Sequence, residues 1–399
     1  MPFVLYLLAV AVFAMGTSEF MLGGLVPDIA ADLGVPVGTA GLLTSAFAVG
    51  MLVGAPVMAV LARRWSPGAS LLVFLLLFSA MHVAGALTTS FGMLLATRVV
   101  AALANAGFLA VALGVAGTLV GTDRTGRALA VLLSGTTLAT VAGVPAGALV
   151  GRLFDWRATF WAVALLCVPA AFGVLRGLSS RPETAETATG SGSVSGGGPR
   201  LRTELARLAA PRLMLVMLLG ALVNAGTFAA FTFLAPVVTH IAGLDDAWVP
   251  VALVLFGVGS FLGVTVAGRL SDRRPEVVIA VGGPLLAVGW LVMAASAHQP
   301  LILLTSVFVQ GALAFGVGST LIARILHEAA GAPTMAGAYA TAALNVGAAA
   351  GPALAALTIG TRAGDLGPVW VGAALVAVAT VVALPLRRVI APRLEAPSS

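Results

Sequence analysis

The sequence predicts an all-α membrane protein of twelve spanning helices in two pseudo-symmetric six-helix bundles. Three observations carry this. The 399 residues are 60% hydrophobic and 9% charged, a balance outside the range of soluble globular domains. The apolar residues fall in runs of about 20, the length that crosses a bilayer. An ungapped offset of 209 residues lays one half of the chain on the other, so that Pro27 meets Pro236 and Gly34 meets Gly243.

The first run, 3–27, has no cation ahead of it and eleven more runs behind it, so it reads as a span and not as a cleaved leader. The others cover 39–61, 70–89, 92–115, 127–150 and 158–178, then 212–238, 248–270, 276–297, 299–322, 334–360 and 366–386. Between the sixth and seventh lies a stretch rich in Gly, Ser, Thr and Pro, the composition of a flexible linker. The expected domains are thus a bundle over 1–178, a cytoplasmic linker over 179–211, and a bundle with a short tail over 212–399. Within the repeat, Phe47-x-x-Gly50-x-x-x-Gly54 falls on Phe256-x-x-Gly259-x-x-x-Gly263. Two repeated halves with a site between them near the bilayer midplane are the plan of secondary transporters.

The charges give the orientation. All 21 cations are arginine, and with both termini cytoplasmic 17 lie inside or at the inner span ends, three outside and one, Arg98, deep in a span. That is the positive-inside rule, so the net charge of +6 reports topology in an inner membrane and no nucleic-acid partner is expected. The single Cys167 excludes an internal disulfide. No metal, no cofactor and no enzymatic activity are expected. His327-Glu328 lacks the second histidine of a zinc site, and a chain without lysine has no P-loop.

Away from the ends of the predicted spans two residues carry charge, Glu19 and Arg98. Glu19 lies eight residues before Pro27, ~12 Å below the outer end at 1.5 Å per residue, and Arg98 ~9 Å below it on the same measure. Charged groups at such depth face partners or wet cavities, so the pair is the expected proton-coupling site. His82, at similar depth, is expected to be a packing or lipid-facing residue. Asn105, Asn224, Gln310 and Asn345 sit near the middle of their helices. They are expected to converge on a polar, uncharged ligand walled by Phe108, Phe228, Phe231 and Phe315. Glycines four apart (Gly50/Gly54, Gly143/Gly147/Gly151, Gly259/Gly263 and Gly347/Gly351) let helices approach closely and suggest contacts between the halves. Pro145 and Pro352 beside them suggest hinges.

These residues resemble the major facilitator superfamily, in particular its drug:proton antiporters of the twelve-helix type. The family's loop signature G-x-L-x-D-R matches Gly268-Arg-Leu-Ser-Asp272-Arg273; in the first half it becomes Ala59-Val-Leu-Ala-Arg63-Arg64, with arginine where the family has aspartate. The helix-4 arginine motif matches Leu94-Leu-Ala-Thr-Arg98, and the antiporter motif matches Gly135…Gly143-Val-Pro145-Ala-Gly147. Gly16-Thr-Ser-Glu19-Phe-Met-Leu, Ala104-Asn105-Ala-Gly-Phe108 and Ala342-Ala-Leu-Asn345-Val-Gly look like the bacterial chloramphenicol-resistance exporters.

The resemblance implies the major facilitator fold and alternating access. It also implies export of a small amphiphilic drug in exchange for protons, with chloramphenicol the leading substrate. Asp272 and Arg273, with Gly351 and Pro352, would be conformational elements, and the protein a monomer in the lipid bilayer. A sugar or nucleoside metabolite, or a broad drug range, is the alternative cargo.

Overall fold

The computed structural model describes residues 2–62, 65–118, 120, 124–178, 207–271, 275–332 and 335–383. The chain is all helix among these. It runs α1 (Phe3–Phe20), α2 (Val26–Asp32), α3 (Val37–Ala62), α4 (Pro67–Leu87), α5 (Phe91–Thr118), α6 (Thr125–Leu138), α7 (Val144–Leu153) and α8 (Trp156–Leu178). The second half runs α9 (Pro211–Thr232), α10 (Trp248–Ser271), α11 (Pro275–Ser296), α12 (Pro300–Glu328), α13 (Ala336–Ala356) and α14 (Gly367–Ala383). The central linker 179–206, the tail beyond 383 and the expected conformational residues Asp272 and Arg273 lie outside the described residues.

Among the described residues, eleven segments are long and apolar enough to cross a membrane. The helix missing from that set is α13, as long as its neighbours but built from alanine and glycine, which carry little hydrophobic weight per residue. Its sequence suits close packing instead. Large apolar side chains elsewhere point outward, as Leu165, Val168, Phe172 and Leu175 do along one stripe of α8. A helix exposing such a stripe is solvated by lipid, not water.

The repeat is visible in the backbone. Gly34 and Gly243, matched by the 209-residue offset, both adopt positive φ, 62° and 66°. Glycine enters that left-handed region without the steric cost a Cβ brings, so each ends its connection in the same turn. The buried side chains gather in two large clusters, one drawn almost wholly from residues before 175 and the other mostly from residues after 210.

The glycine pairs pack helices within each half, where the sequence had suggested contacts between halves. Gly50 and Gly54 of α3 meet Ala102 and Ala106 of α5, while Gly259 and Gly263 of α10 meet Phe308 and Ala312 of α12. Gly347 and Gly351 of α13 lie on Ala221 and Ala225 of α9, and Gly143 lies on Thr17 of α1. Without a hydrophobic drive between helices in lipid, such backbone-to-backbone approach supplies the packing. Contacts between the halves are made elsewhere, by Gly38 on Ala356, Gly41 on Phe233 and Gly257 on the backbone of Thr140 and Val141.

The two prolines behave differently. Pro145 follows a π-turn, Ala139–Gly143, that separates α6 from α7. The ring has no N–H to give, and the wider turn absorbs the missing bond. Pro352 sits inside α13, which continues past it as one helix.

Candidate functional site

Glu19 lies in the last turn of α1, one residue before Phe20, where the helix gives way to a 3₁₀ turn over Met21–Gly24. The turn brings this part of the chain against the second half, since a Cβ on Gly23 would stand 2.8 Å from the Phe231 ring. Glu19 is partly exposed, and no hydrogen bond or ion pair engages its carboxylate among the described residues.

Arg98 is brought to the neighbouring residue and not to the carboxylate. Its Nη1 donates to Ser18 Oγ at 2.7 Å and its Nη2 to the Ser18 carbonyl at 2.8 Å, while the guanidinium lies 4.3 Å over the Phe47 ring. The Ser18 hydroxyl is also 2.7 Å from His82 Nε2, and His82 Nδ1 is 2.8 Å from the Phe78 carbonyl. One assignment of protons satisfies the chain. Arg98 donates to Ser18, Ser18 donates to His82 Nε2, and His82 Nδ1–H donates to Phe78; this is the neutral Nδ1–H imidazole. His82 is therefore a buried member of the polar cluster, at 1% exposure, and not a lipid-facing side chain. The depth argument placed it correctly, but periodicity alone did not show its direction.

Five phenylalanines join next to Glu19. Phe20 of α1 lies 5.4 Å from Phe228, 6.2 Å from Phe231 and 6.4 Å from Phe315, all in the second half. Phe256 extends the group, 4.7 Å from Phe231 and 5.9 Å from Phe315. Three of the four expected wall residues are thus together. The fourth, Phe108, is wholly buried in the core of the first half. Phe20 and Phe256 were missed. Phe256 was visible in the repeated F-x-x-G-x-x-x-G, where it reads as a packing signature.

The four amides do not meet as one group. Asn224 donates to the Leu344 carbonyl at 2.7 Å, tying α9 to α13 beside Asn345, and Asn345 donates to Thr341 in its own helix at 3.0 Å. Gln310 donates to the Leu286 carbonyl at 3.1 Å, joining α12 to α11. Asn105 is buried in α5 with its Oδ1 unpartnered. Asn224 and Asn345 flank the Phe228 region, whereas Asn105 and Gln310 belong to the interiors of separate halves.

At the α2 end of the molecule a cavity of about 670 Å³ lies between the halves, lined by Asp28, Asp155 and Asp246 among others. Arg152 bridges it to the second half through Asp245 at 3.1 Å. Arg157 braces the first half, donating to Asp32 at 2.5 Å and to the Thr88 carbonyl at 3.2 Å. Burial, with Asp246 and Asp155 adding to it, holds the Asp28 carboxyl above the usual carboxylate range. A carboxyl so raised binds its proton more tightly when folded than when unfolded. It therefore adds stability as pH falls through its folded value, until the unfolded value is reached. Asp28→Asn is expected to remove that gain. The melting temperature of the purified protein, followed from pH 7 down to the ordinary carboxylate range, should vary less with pH for the variant, and an identical pH profile in both proteins would refute the assignment.

The model of the Major Facilitator Superfamily matches residues 8–342. A chloramphenicol resistance protein of Streptomyces lividans is 68% identical over 390 residues, covering 98% of this chain and 97% of that one. The inner membrane transport protein YdhP of Escherichia coli K12 is 30% identical over 90% of this chain and 89% of its own. Among solved structures, a bacterial homologue of the human lysosomal transporter Spinster, inward-facing and unoccupied, superposes with a TM-score of 0.71 at 17% identity. It covers 98% of this chain and 97% of its own. With the helices, the repeat and these matches in agreement, the chain is a multi-pass membrane protein that belongs to the major facilitator superfamily.

Proposed function

We propose that this protein exports chloramphenicol in exchange for protons, by alternating access between two six-helix bundles joined by the cytoplasmic linker. Twelve helices then span the inner membrane, with both termini cytoplasmic and the α2 end outside, and the working unit is a monomer. The observation that carries the reading is the seam beside Glu19. An ionisable group with no partner of its own adjoins an aromatic cluster, Phe20, Phe228, Phe231, Phe315 and Phe256, built from both halves. A nitroaryl ring stacks on such a cluster. Rocking one half against the other separates Phe20 from its partners, so drug binding and the conformational equilibrium are linked. The relative named for chloramphenicol resistance, at 68% identity, supports the choice of drug.

Arg98, held by Ser18, whose hydroxyl also engages His82, supplies a fixed positive field one residue from Glu19 without neutralising it in a direct pair. Glu19 is left to take the proton on one side and release it on the other. Each proton exchanged for a neutral drug moves one charge, so membrane potential and pH gradient both drive export.

The test is chloramphenicol accumulation in cells expressing the chain, with and without a protonophore. Low accumulation that rises when the gradient collapses is the expected result. Unchanged accumulation, with the protein present in the membrane, would discard the drug and turn the search to sugars and nucleosides.

A further inference from the structure

The 209-residue offset places Phe256 on Phe47 and Val307 on Arg98. In the first half, the Arg98 guanidinium fills the space over the Phe47 ring. In the second half, the shorter Val307 leaves a small cavity beside Phe256, lined also by Phe231, Trp290 and Gln310, with room for one water-sized group.

Two residues of its wall carry a buried polar atom without a partner. Trp290, 2% exposed, has no acceptor for its Nε1–H, and Gln310, fully buried, has no donor for its Oε1. The Gln310 amide is fixed in this sense because only its NH₂ group can donate to the Leu286 carbonyl. Unmade hydrogen bonds at such burial are costly and call for a partner. The wall offers one donor and one acceptor. A carboxylate can use only the donor and an ammonium only the acceptor, whereas a hydroxyl uses both. The rings of Phe231 and Phe256 form the wall shared by this cavity and the phenylalanine cluster at the seam between the halves.

We propose that the cavity between Trp290 and Gln310 is a hydroxyl-binding subsite of the drug site, accepting from Trp290 Nε1–H and donating to Gln310 Oε1. The proposal rests on the reading of the protein as a chloramphenicol exporter, since that drug carries an aromatic ring and two hydroxyls. The ring would lie on the phenylalanines while one hydroxyl passes the Phe231–Phe256 pair.

The test is binding of radiolabelled chloramphenicol to the purified full chain, alongside two analogues. One has fluorine in place of the primary hydroxyl; the other has the secondary hydroxyl oxidised to a ketone. Trp290→Phe removes an N–H that bonds nothing in the protein; the smaller ring lowers the melting temperature by a few degrees but leaves the protein folded. Its affinity for chloramphenicol should fall about five- to tenfold, as expected for one lost hydrogen bond. Val307→Met fills the cavity and should produce a similar loss. The analogue lacking the bound hydroxyl should bind weakly to the unaltered protein and be indifferent to both substitutions. If the substitutions leave chloramphenicol binding unchanged, or weaken all three compounds by one factor, the cavity holds only water and the subsite is overturned. Absence of binding by the unaltered protein overturns the export reading, and the subsite with it.

Discussion

Glu19→Gln is expected to abolish gradient-driven export while leaving a folded protein that still binds and exchanges drug. Glutamine keeps the shape of the side chain and removes only the proton it can carry. No ion pair is broken, because Arg98 spends its Nη donors on Ser18. The loss should therefore be one of coupling and not of structure. A potential of 100 mV is worth ~2.3 kcal/mol for each charge moved, or about 50-fold in the steady-state drug ratio per proton. Inside-out vesicles energised by a proton gradient should lose that ratio with Glu19→Gln, while counterflow of labelled against unlabelled drug persists. Full gradient-driven uptake by the variant would move the proton site elsewhere.

Gly263→Ala should be the most damaging of the packing substitutions. A Cβ there would stand 2.0 Å from the Ala312 carbonyl oxygen and 2.7 Å from its Cα, both backbone atoms that no rotamer change can move. Gly259 and Gly311 make the same kind of approach across the α10–α12 seam, at 2.2 Å from the Phe308 oxygen and 2.3 Å from the Phe256 oxygen. Relief requires the two helices to part along their whole contact. Overpacking usually costs ~1–3 kcal/mol, and a clash between two backbones belongs at or above the upper end. Gly268, five residues on in the same helix, is the control, because its Cβ would meet nothing within 4 Å. Melting in detergent should fall steeply for Gly263→Ala and hardly at all for Gly268→Ala. Equal melting temperatures would sink the argument.

The sequence by itself determined that this chain lives in a bilayer, that its two halves repeat, and where its rare membrane charges lie. These are properties of composition and spacing. Apolar runs of helix length have few alternatives in lipid, where every backbone group must be satisfied within the helix. Matched glycines such as Gly34 and Gly243 follow from the same local geometry in each half.

What only the tertiary structure decided is which side chain meets which. The glycine pairs were legible as close contacts, but the helix each one meets depends on how six helices pack, so the contacts proved to lie within halves. Arg98 was legible as a buried cation; its choice of Ser18 over Glu19 rests on a difference of one residue, about 100° around α1. Periodicity is weak evidence for that direction in a membrane helix, where apolar residues cover both the lipid face and the packed face. For the same reason Phe108, one turn from Asn105, was indistinguishable in sequence from Phe228, one turn from Asn224. Only the packing of α1 across the seam put Phe228 beside Phe20 and left Phe108 in the core of its own half.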